Sequence, residues 1–280
     1  MKKITKNIVL LLFLTTGIKG IANSPVDYLK KVLNNLENIK SATYTIHGKA
    51  WWPGDTIPYG GSCTFIKEFD NPKDTMVGAF FAMFSCEEPS KLILAYDGKV
   101  EIDVFHEHKG LIINDFTALP RPFRLFGGSA FFNQVKNMIY YILTTEDNTS
   151  LDLNEFDDHY HLKLVIDEDK QVEFFGKPYR VPTPPFYSEP LSIYELWFSK
   201  ETDLPYKKRR EMFHNTSVRI VSDAEFNTLS LDDFNIYDYF PADYEIRTLA
   251  EVIARRNNRK TESGLVGQPA PKWILNDKNE

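Results

Sequence analysis

The chain has 280 residues, of which 42% are hydrophobic and 26% charged, so it has enough apolar surface for a core and is not expected to be disordered. The formal net charge at pH 7 is -6, which argues against nucleic-acid binding. Aromatic residues make up 14% of the chain, a content typical of β-sheets and also of apolar ligand grooves.

The first 22 residues have the pattern of a cleaved signal peptide. Lys2 and Lys3 precede an apolar run from Ile8 to Leu14, and Ala22 ends the segment. A stable membrane anchor needs about 20 apolar residues, and no stretch of the chain reaches that length. We therefore expect a periplasmic or secreted protein without a stable membrane anchor.

A helix is predicted directly after this segment. Ser24 is a suitable N-cap and Pro25 suits the first helical turn. Apolar residues then recur at helical spacing: Val26, Leu29, Leu33, Leu36 and Ile39. Most of the remaining chain alternates as antiparallel strands do. The predicted strands are Ala42–Ile46, Ser62–Phe69, Thr75–Ser85, Lys91–Tyr96, Lys99–Phe105, Leu111–Phe116, Tyr160–Ile166, Val172–Phe175, Ser192–Phe198, Tyr206–Phe213 and Val218–Leu229.

A second helix is predicted over Ser129–Leu143. Apolar residues recur at helical spacing: Phe132, Val135, Met138 or Ile139, and Ile142. The high apolar content of the helix indicates that most of it is covered. The proline-rich stretch 179–190 is expected to be an extended surface arm. Residues 247–263 are predicted to form a helical linker.

The two cysteines, Cys63 and Cys86, flank a predicted hairpin with its turn at residues 70–74. That turn places Cys63 opposite about Phe81, so Cys86 has the wrong face parity unless a bulge intervenes. The pattern leaves a disulfide open. There is no Cys-x-x-Cys motif, which argues against thiol catalysis by these two residues.

Two histidine pairs have a spacing that can bind zinc. His106 and His108, and His159 and His161, would each lie on one face of a strand, and neighbouring strands could unite them around a metal ion. Solvated histidines on a polar face are the commoner explanation, and no metal is predicted.

The basic run 207–210 lies on a predicted strand, with Lys207 and Arg209 on one face and Lys208 and Arg210 on the other. Such residues usually make an edge strand soluble, although a basic strip can also bind an anionic surface or partner. The chain has no Gly-x-Ser-x-Gly, His-Glu-x-x-His or glycine-rich phosphate loop, so neither catalytic residues nor a cofactor are predicted.

Several short segments resemble the periplasmic lipoprotein-carrier (LolA-type) domains: Ile39–Ser41, Tyr44–Ala50, Tyr96–Lys99, Glu195–Phe198 and Asp203–Tyr206. The resemblance implies an α+β domain over residues 23–246, in which an N-terminal amphipathic helix and a covering apolar helix lie on a curved antiparallel half-barrel. Its concave face would hold acyl chains. The ligand-groove candidates are Trp52, Phe80, Phe81, Phe84, Phe132, Val135, Ile139 and Ile142.

The stretch Val266–Leu275 resembles the opening of a periplasmic thioredoxin-like (TlpA or redoxin) domain, which would make 264–280 its truncated start. A stiff extended tail is the simpler alternative. The resemblances together predict a non-enzymatic binding domain for an apolar or lipid-like ligand or an envelope protein. The alternative is a thiol-disulfide oxidoreductase whose catalytic domain is missing from this chain.

Overall fold

The computed structural model describes residues 24–118, 129–166, 171–180 and 192–262. Within them lie the helices α1 (Pro25–Glu37), α2 (Phe131–Thr144) and α3 (Leu249–Glu262). The strands are β1 (Ser41–Trp51), β2 (Gly60–Asp70), β3 (Ala79–Ser85), β4 (Leu92–Tyr96), β5 (Glu101–Phe105), β6 (Gly110–Asn114), β7 (Thr149–Glu155), β8 (His159–Ile166), β9 (Val172–Phe174), β10 (Pro178–Arg180), β11 (Ser192–Ser199), β12 (Pro205–Met212), β13 (Asn215–Phe226) and β14 (Glu245–Thr248).

Twelve of these strands form one open, curved sheet in the order β14-β6-β5-β4-β3-β2-β1-β13-β12-β11-β8-β7. Neighbouring strands are antiparallel except β14 and β6, which are parallel. Strands β9 and β10 form a separate hairpin. The prediction of an α+β fold built on a large curved sheet is confirmed.

Helices α1 and α2 pack on one face of this sheet, which we call the helical face. The hydroxyl of Ser24 accepts a hydrogen bond from the amide of Asp27 at 3.2 Å and thereby caps α1. Tyr28 of α1 packs its ring on Tyr160 of β8 and Phe198 of β11, with ring centroids 4.3 and 5.9 Å away. The apolar stripe of α1 is therefore buried on the β8–β11 side of the sheet.

A buried carboxylate on β2 caps α2. Glu68 accepts hydrogen bonds from the amides of Asn133 at 2.6 Å and Phe132 at 3.3 Å, and the Tyr44 hydroxyl donates to it at 2.5 Å. The same hydroxyl accepts from the amide of Phe131 at 2.8 Å. These bonds satisfy the free amides of the first helical turn. Burial raises the pKa of Glu68, and the hydrogen bonds from Tyr44 and the two amides only partly offset this.

Amide side chains fix the outer side of α2. The Asn137 side chain donates to the carbonyl of Gly176 at 2.8 Å, and the Asn133 side chain donates to the carbonyl of Val77 at 3.0 Å. Val77 belongs to the β2–β3 connection, and Gly176 to the β9–β10 connection. Helix α2 is thus held between the sheet and two loops, and eight of its 14 residues are buried.

The opposite face of the sheet is covered near β2–β5 by residues 231–244. Ile236 of this segment is buried, and Tyr239 packs edge-on against Phe84 of β3 with ring centroids 5.1 Å apart. Phe234 packs on Phe69 at 4.7 Å. Strand β3 is therefore covered on both faces, by α2 on one and by this C-terminal segment on the other.

Some strands depart from the prediction. Strands β7, β10 and β14 were not predicted, and β14 continues across the proposed domain boundary at residue 246. Thr248 and Glu251 then form a reciprocal capping box, with bonds of 3.2 and 2.8 Å, that starts α3 directly. The edges of the twelve-stranded sheet are β14 and β7. The expectation that 207–210 protects an edge strand is wrong, because β12 lies between β11 and β13.

We predict that Glu68→Ala lowers the free energy of unfolding by about 2 to 4 kcal/mol, because it leaves the first-turn amides of α2 buried without an acceptor. Glu68→Gln keeps an acceptor and should cost less. Urea denaturation followed by circular dichroism measures both variants. The exposed Glu225→Gln variant on β13 serves as the control. Equal midpoints for Glu68→Ala and the control would contradict the proposed role of this carboxylate.

Candidate functional site

The ligand-groove candidates from the sequence are divided among three places. Phe81, Phe132, Val135 and Ile139 belong to the buried core of the helical face, and Ile142 packs against that core. Phe84 belongs to the cluster on the opposite face, where Phe80 also points because it lies four residues, an even number, along the same strand. Trp52 lies in the β1–β2 connection. The structure therefore does not assemble these eight side chains into one groove.

The contact between α2 and the sheet is closed. A cavity of about 10 Å³ lies there, bordered by Leu36, Glu68, Phe132 and Lys136 among others. Such a volume holds about one water molecule. The buried aromatic residues thus pack on one another, and a ligand could reach them only if α2 moved away from the sheet.

A much larger cavity, of about 580 Å³, opens at one end of β1, β12 and β13. We call it the aromatic cleft. The register places Trp51 opposite Thr216, and Thr216 opposite Glu211, all three on the face away from the helices. The residues that line the aromatic cleft are Trp51, Trp52, Pro53, Gly54, Asp55, Arg209, Glu211, Met212, Phe213, Thr216 and Val218.

The local sequence holds Trp52 outward at the rim of the cleft. Pro53 fixes its own φ, and Gly54 takes a φ of +84°, so the chain turns sharply directly after the strand. Trp52 stacks on Tyr59 with ring centroids 4.5 Å apart and keeps 54% of its surface exposed. Phe213, on the facing β12–β13 turn, is also exposed. The cleft therefore has aromatic side chains on both sides.

The charged groups beside the cleft neutralise one another. Arg209 forms ion pairs with Glu211 on its own strand and with Glu195 on β11. Glu195 also bonds to His161 at 2.9 Å. Because these charges are paired on the protein surface, they add little net field to the cleft, and the aromatic walls determine what it can bind.

A second open cavity, of about 260 Å³, is lined by Gly48, Lys49, Ala50, Gly60, Gly61, Ser62, Ser217, Val218 and Arg219. We call it the glycine trough. Gly48 lies opposite Ser62 on one side and Arg219 on the other, on the same face as the helix-covered Tyr44 and Ile46. Gly60-Gly61-Ser62 was interpreted from the sequence only as a strand entry; the small residues of three adjacent strands leave this part of the helical face unfilled.

Basic side chains lie beside the trough. Lys208 is directly opposite Arg219, and Arg210 follows on the same face of β12. Lys208 is only 5% exposed and donates a hydrogen bond to the side-chain oxygen of Gln134 on α2. Burial lowers the pKa of Lys208 well below its ordinary value, and the nearby Arg219 and Arg210 lower it further. The sequence predicted which faces these residues share but not that the helices cover one of them.

Acidic groups occupy the other side of the helical face. Glu101 and Asp103 lie on β5, with Asp103 opposite Leu94 of the helical-face core. Glu101 is fully buried and accepts a bond from Asn114 at 3.5 Å. Burial raises the pKa of Asp103 to about 6. The helical face is therefore basic on β12 and β13 and acidic on β5.

The histidine pairs do not meet. Residues 106–108 form a short 3-10 helix rather than a strand, and the ring nitrogens of His106 bond to the Tyr244 hydroxyl and the Leu92 carbonyl, each at 2.7 Å. His108 follows on this helix, whereas His159 and His161 lie on β8, near the other edge of the sheet. Among the described residues, His, Cys, Asp and Glu form no group of three that could hold a metal ion.

Cys63 and Cys86 form a disulfide, with their Cα atoms 5.6 Å apart. The predicted register is wrong because the β2–β3 connection runs from Asn71 to Gly78, longer than the expected turn. Asp74 organises this loop by accepting from the amide of Met76 at 2.8 Å. Thr64 then lies opposite Ser85, so the cysteines end the hairpin as direct neighbours without a bulge.

Neither the predicted signal peptide, residues 1–22, nor the thioredoxin-like stretch, residues 264–280, falls in the described part of the chain. The same is true of most of the proline-rich arm, of which only Tyr179 and Arg180 are described, in β10. Among the described residues, no helix combines the length and hydrophobicity that crossing a bilayer requires.

No family model matches this sequence, and no curated protein is significantly similar to it. Solved structures are similar in fold over most of the chain. One is a putative outer membrane lipoprotein-sorting protein domain from Vibrio parahaemolyticus, with 9% identity, a TM-score of 0.37 and coverage of 77% of this chain and 98% of that one. A LolA superfamily protein from Nitrosomonas europaea has 12% identity, a TM-score of 0.30 and coverage of 75% and 98%.

LprF from Mycobacterium bovis is a third, with 8% identity, a TM-score of 0.38 and coverage of 78% of this chain and 96% of that one. At such identities and TM-scores the similarity does not define what this chain binds.

We predict that replacing both cysteines by serine lowers the free energy of unfolding by about 3 kcal/mol, because the disulfide closes a loop with a sequence separation of 23 residues. Chemical denaturation of the oxidised wild type and the double variant measures the difference. The wild type in the presence of a reducing agent should resemble the double variant. An unchanged midpoint in both cases would contradict a stabilising role.

We also predict a pH dependence of stability from Asp103. Its pKa is raised in the folded protein, so its contribution is fully present below its ordinary pKa of 3.8 and is lost as the pH rises through about 6. Asp103→Asn should therefore remove part of the loss of stability between pH 4 and pH 7. Urea denaturation at several pH values tests this, and equal slopes for wild type and variant would contradict it.

Proposed function

We propose that this chain is a non-enzymatic binding protein that holds an apolar, lipid-like ligand in the aromatic cleft. The observation that carries the proposal is the cleft itself, a cavity of about 580 Å³ between exposed aromatic side chains on two connections. Ligand sites in proteins usually measure roughly 300 to 1,000 Å³ and are lined mainly by apolar and aromatic groups. The paired charges of Arg209, Glu195 and Glu211 leave the aromatic walls to determine affinity.

The cleft is a better site than the buried groove that the resemblance implies. Phe81 of β3 and three residues of α2, Phe132, Val135 and Ile139, belong to one buried cluster. Exposing them would break the bonds of Glu68 and of the α2 asparagines. A ligand that enters the aromatic cleft needs no such rearrangement. Trp52 is the one groove candidate from the sequence that keeps its place in this proposal.

An envelope protein is the alternative occupant. Ile57 is 78% exposed on the same β1–β2 connection as Trp52 and Tyr59. Contiguous exposed apolar residues often mark a protein-binding surface. The predicted setting is the periplasm or the cell exterior, after removal of residues 1–22. The same proposal includes the prediction that this binding domain is the N-terminal part of a thioredoxin-like envelope protein.

Thiol-disulfide chemistry is the alternative function. It would depend on Cys63 and Cys86 or on a thioredoxin-like catalytic domain. The two cysteines face each other directly on neighbouring strands, and their disulfide links β2 and β3 at the open end of the hairpin. This arrangement favours a structural disulfide, and an insulin-reduction assay would detect redox activity if the pair had any.

We predict that the neutral dye Nile red binds to protein purified without detergent and that decanol displaces it. Trp52→Ala should weaken dye binding at least about tenfold, because an exposed Trp in a pocket is a typical hot spot. Phe213→Ala should act in the same direction. The control is Tyr237→Ala, since Tyr237 is similarly exposed on the distant 3-10 helix Ile236–Tyr239. Absence of dye binding, or equal affinities in all variants, would refute the proposal.

A further inference from the structure

The glycine trough has a chemistry different from that of the aromatic cleft. Its charged lining residue on the helical face is Arg219, which the register places between Gly48 of β1 and Lys208 of β12. Ser62 and Ser217 supply hydroxyl groups on the same face. The trough therefore combines a guanidinium group and two hydroxyls with an unfilled floor.

Three basic residues, Lys208, Arg210 and Arg219, lie side by side on neighbouring strands behind the trough. Residues directly opposite on neighbouring strands have Cβ atoms about 5 Å apart, so Lys208 and Arg219 repel each other when both are charged. Gln134, which accepts from Lys208, is neutral, and Glu173 is paired with Arg210 at 2.9 Å. The Nε–H of Arg210 is buried and has no acceptor among the described residues. A buried N–H donor without an acceptor costs free energy, so an anion beside Arg210 would stabilise this group.

Small residues make the trough accessible to a ligand. A Cβ atom at Gly48 would lie 2.5 Å from the Ser62 hydroxyl, so this position has no room for a side chain while that hydroxyl stays in place. A Cβ atom at Gly60 would meet nothing within 4 Å, so the space above Gly60 is open. A cavity of about 260 Å³ with this lining accommodates a compact polar group.

We propose that the glycine trough binds an anionic group, a carboxylate or a phosphate, through the Arg219 guanidinium. Planar guanidinium groups bind both anions with paired, charge-assisted hydrogen bonds. The hydroxyls of Ser62 and Ser217 donate further bonds, and the buried Nε–H of Arg210 belongs to a residue directly opposite Ser217 on the same face. This site lies on the helical face, whereas the aromatic cleft lies on the other face, so it is a separate binding site.

The test is calorimetric titration of the full chain with inorganic phosphate, decanoate and decanol. We expect phosphate, decanoate or both to bind, and Arg219→Gln to weaken that binding at least about tenfold. The matched control is Lys207→Gln, which removes a positive charge from the opposite face of the neighbouring strand β12 and should leave the affinity unchanged. If phosphate binds, a free anion without an acyl chain is sufficient for the trough. If only decanoate binds, the ligand of the trough is the carboxylate of an acyl chain.

A second variant distinguishes a loss of anion binding from a folding defect in Arg219→Gln. Gly60→Leu fills the open part of the trough without removing charge, and it should abolish anion binding while leaving the circular dichroism spectrum unchanged. The proposal is overturned if neither anion binds, or if binding persists equally in both variants. Decanol binding that responds to Trp52→Ala but not to Arg219→Gln reports on the aromatic cleft, so the two sites succeed or fail separately.

Discussion

The carboxylate of Glu68 fixes the position of α2, and the rest of the helical face depends on that position. It lies in the core, where an unpaired charge would be costly, yet it receives the Tyr44 hydroxyl and two amides of the first turn of α2. A helix N-terminus and a carboxylate compensate each other when neither is solvated. The asparagines on the outer side of the helix complete this attachment through the carbonyls of Val77 and Gly176.

This attachment determines which parts of the sheet remain open. With α2 fixed over Tyr44, Ile66 and Phe81, the apolar part of the helical face is filled by side chains of the protein itself. The other half of β1, from Gly48 to Trp51, extends beyond the helix. There the two faces differ: the helical face has small residues beside basic groups, and the opposite face has tryptophans beside paired charges. One end of the sheet thus offers two cavities of different chemistry.

The sequence pattern predicted a helix or strand correctly where residues close together in the chain determine that element. The helical spacing of the apolar residues in α1 and α2 located both helices within a few residues. Strand β7 was missed because only Leu151 and Leu153 alternate in an otherwise polar edge segment. Strand β14 was missed because its pairing with β6 joins Glu245 to Gly110, a contact that no local pattern reveals. The hairpin register was wrong because Asp74 organises a longer connection than the turn residues indicated.

The sequence by itself determined the two helices, most strands and the alternation that separates Lys208 from Lys207, because these follow from backbone periods within a single segment. Only the tertiary structure decided that β12 is a central strand, that Cys63 faces Cys86, that Trp52 borders a cleft and that Arg219 lies between Gly48 and Lys208. These facts depend on which strands become neighbours and which face of the sheet is covered. Contacts between residues far apart in the chain, such as Gly48 and Arg219, determine both, and the residue pattern within a single strand does not predict such contacts.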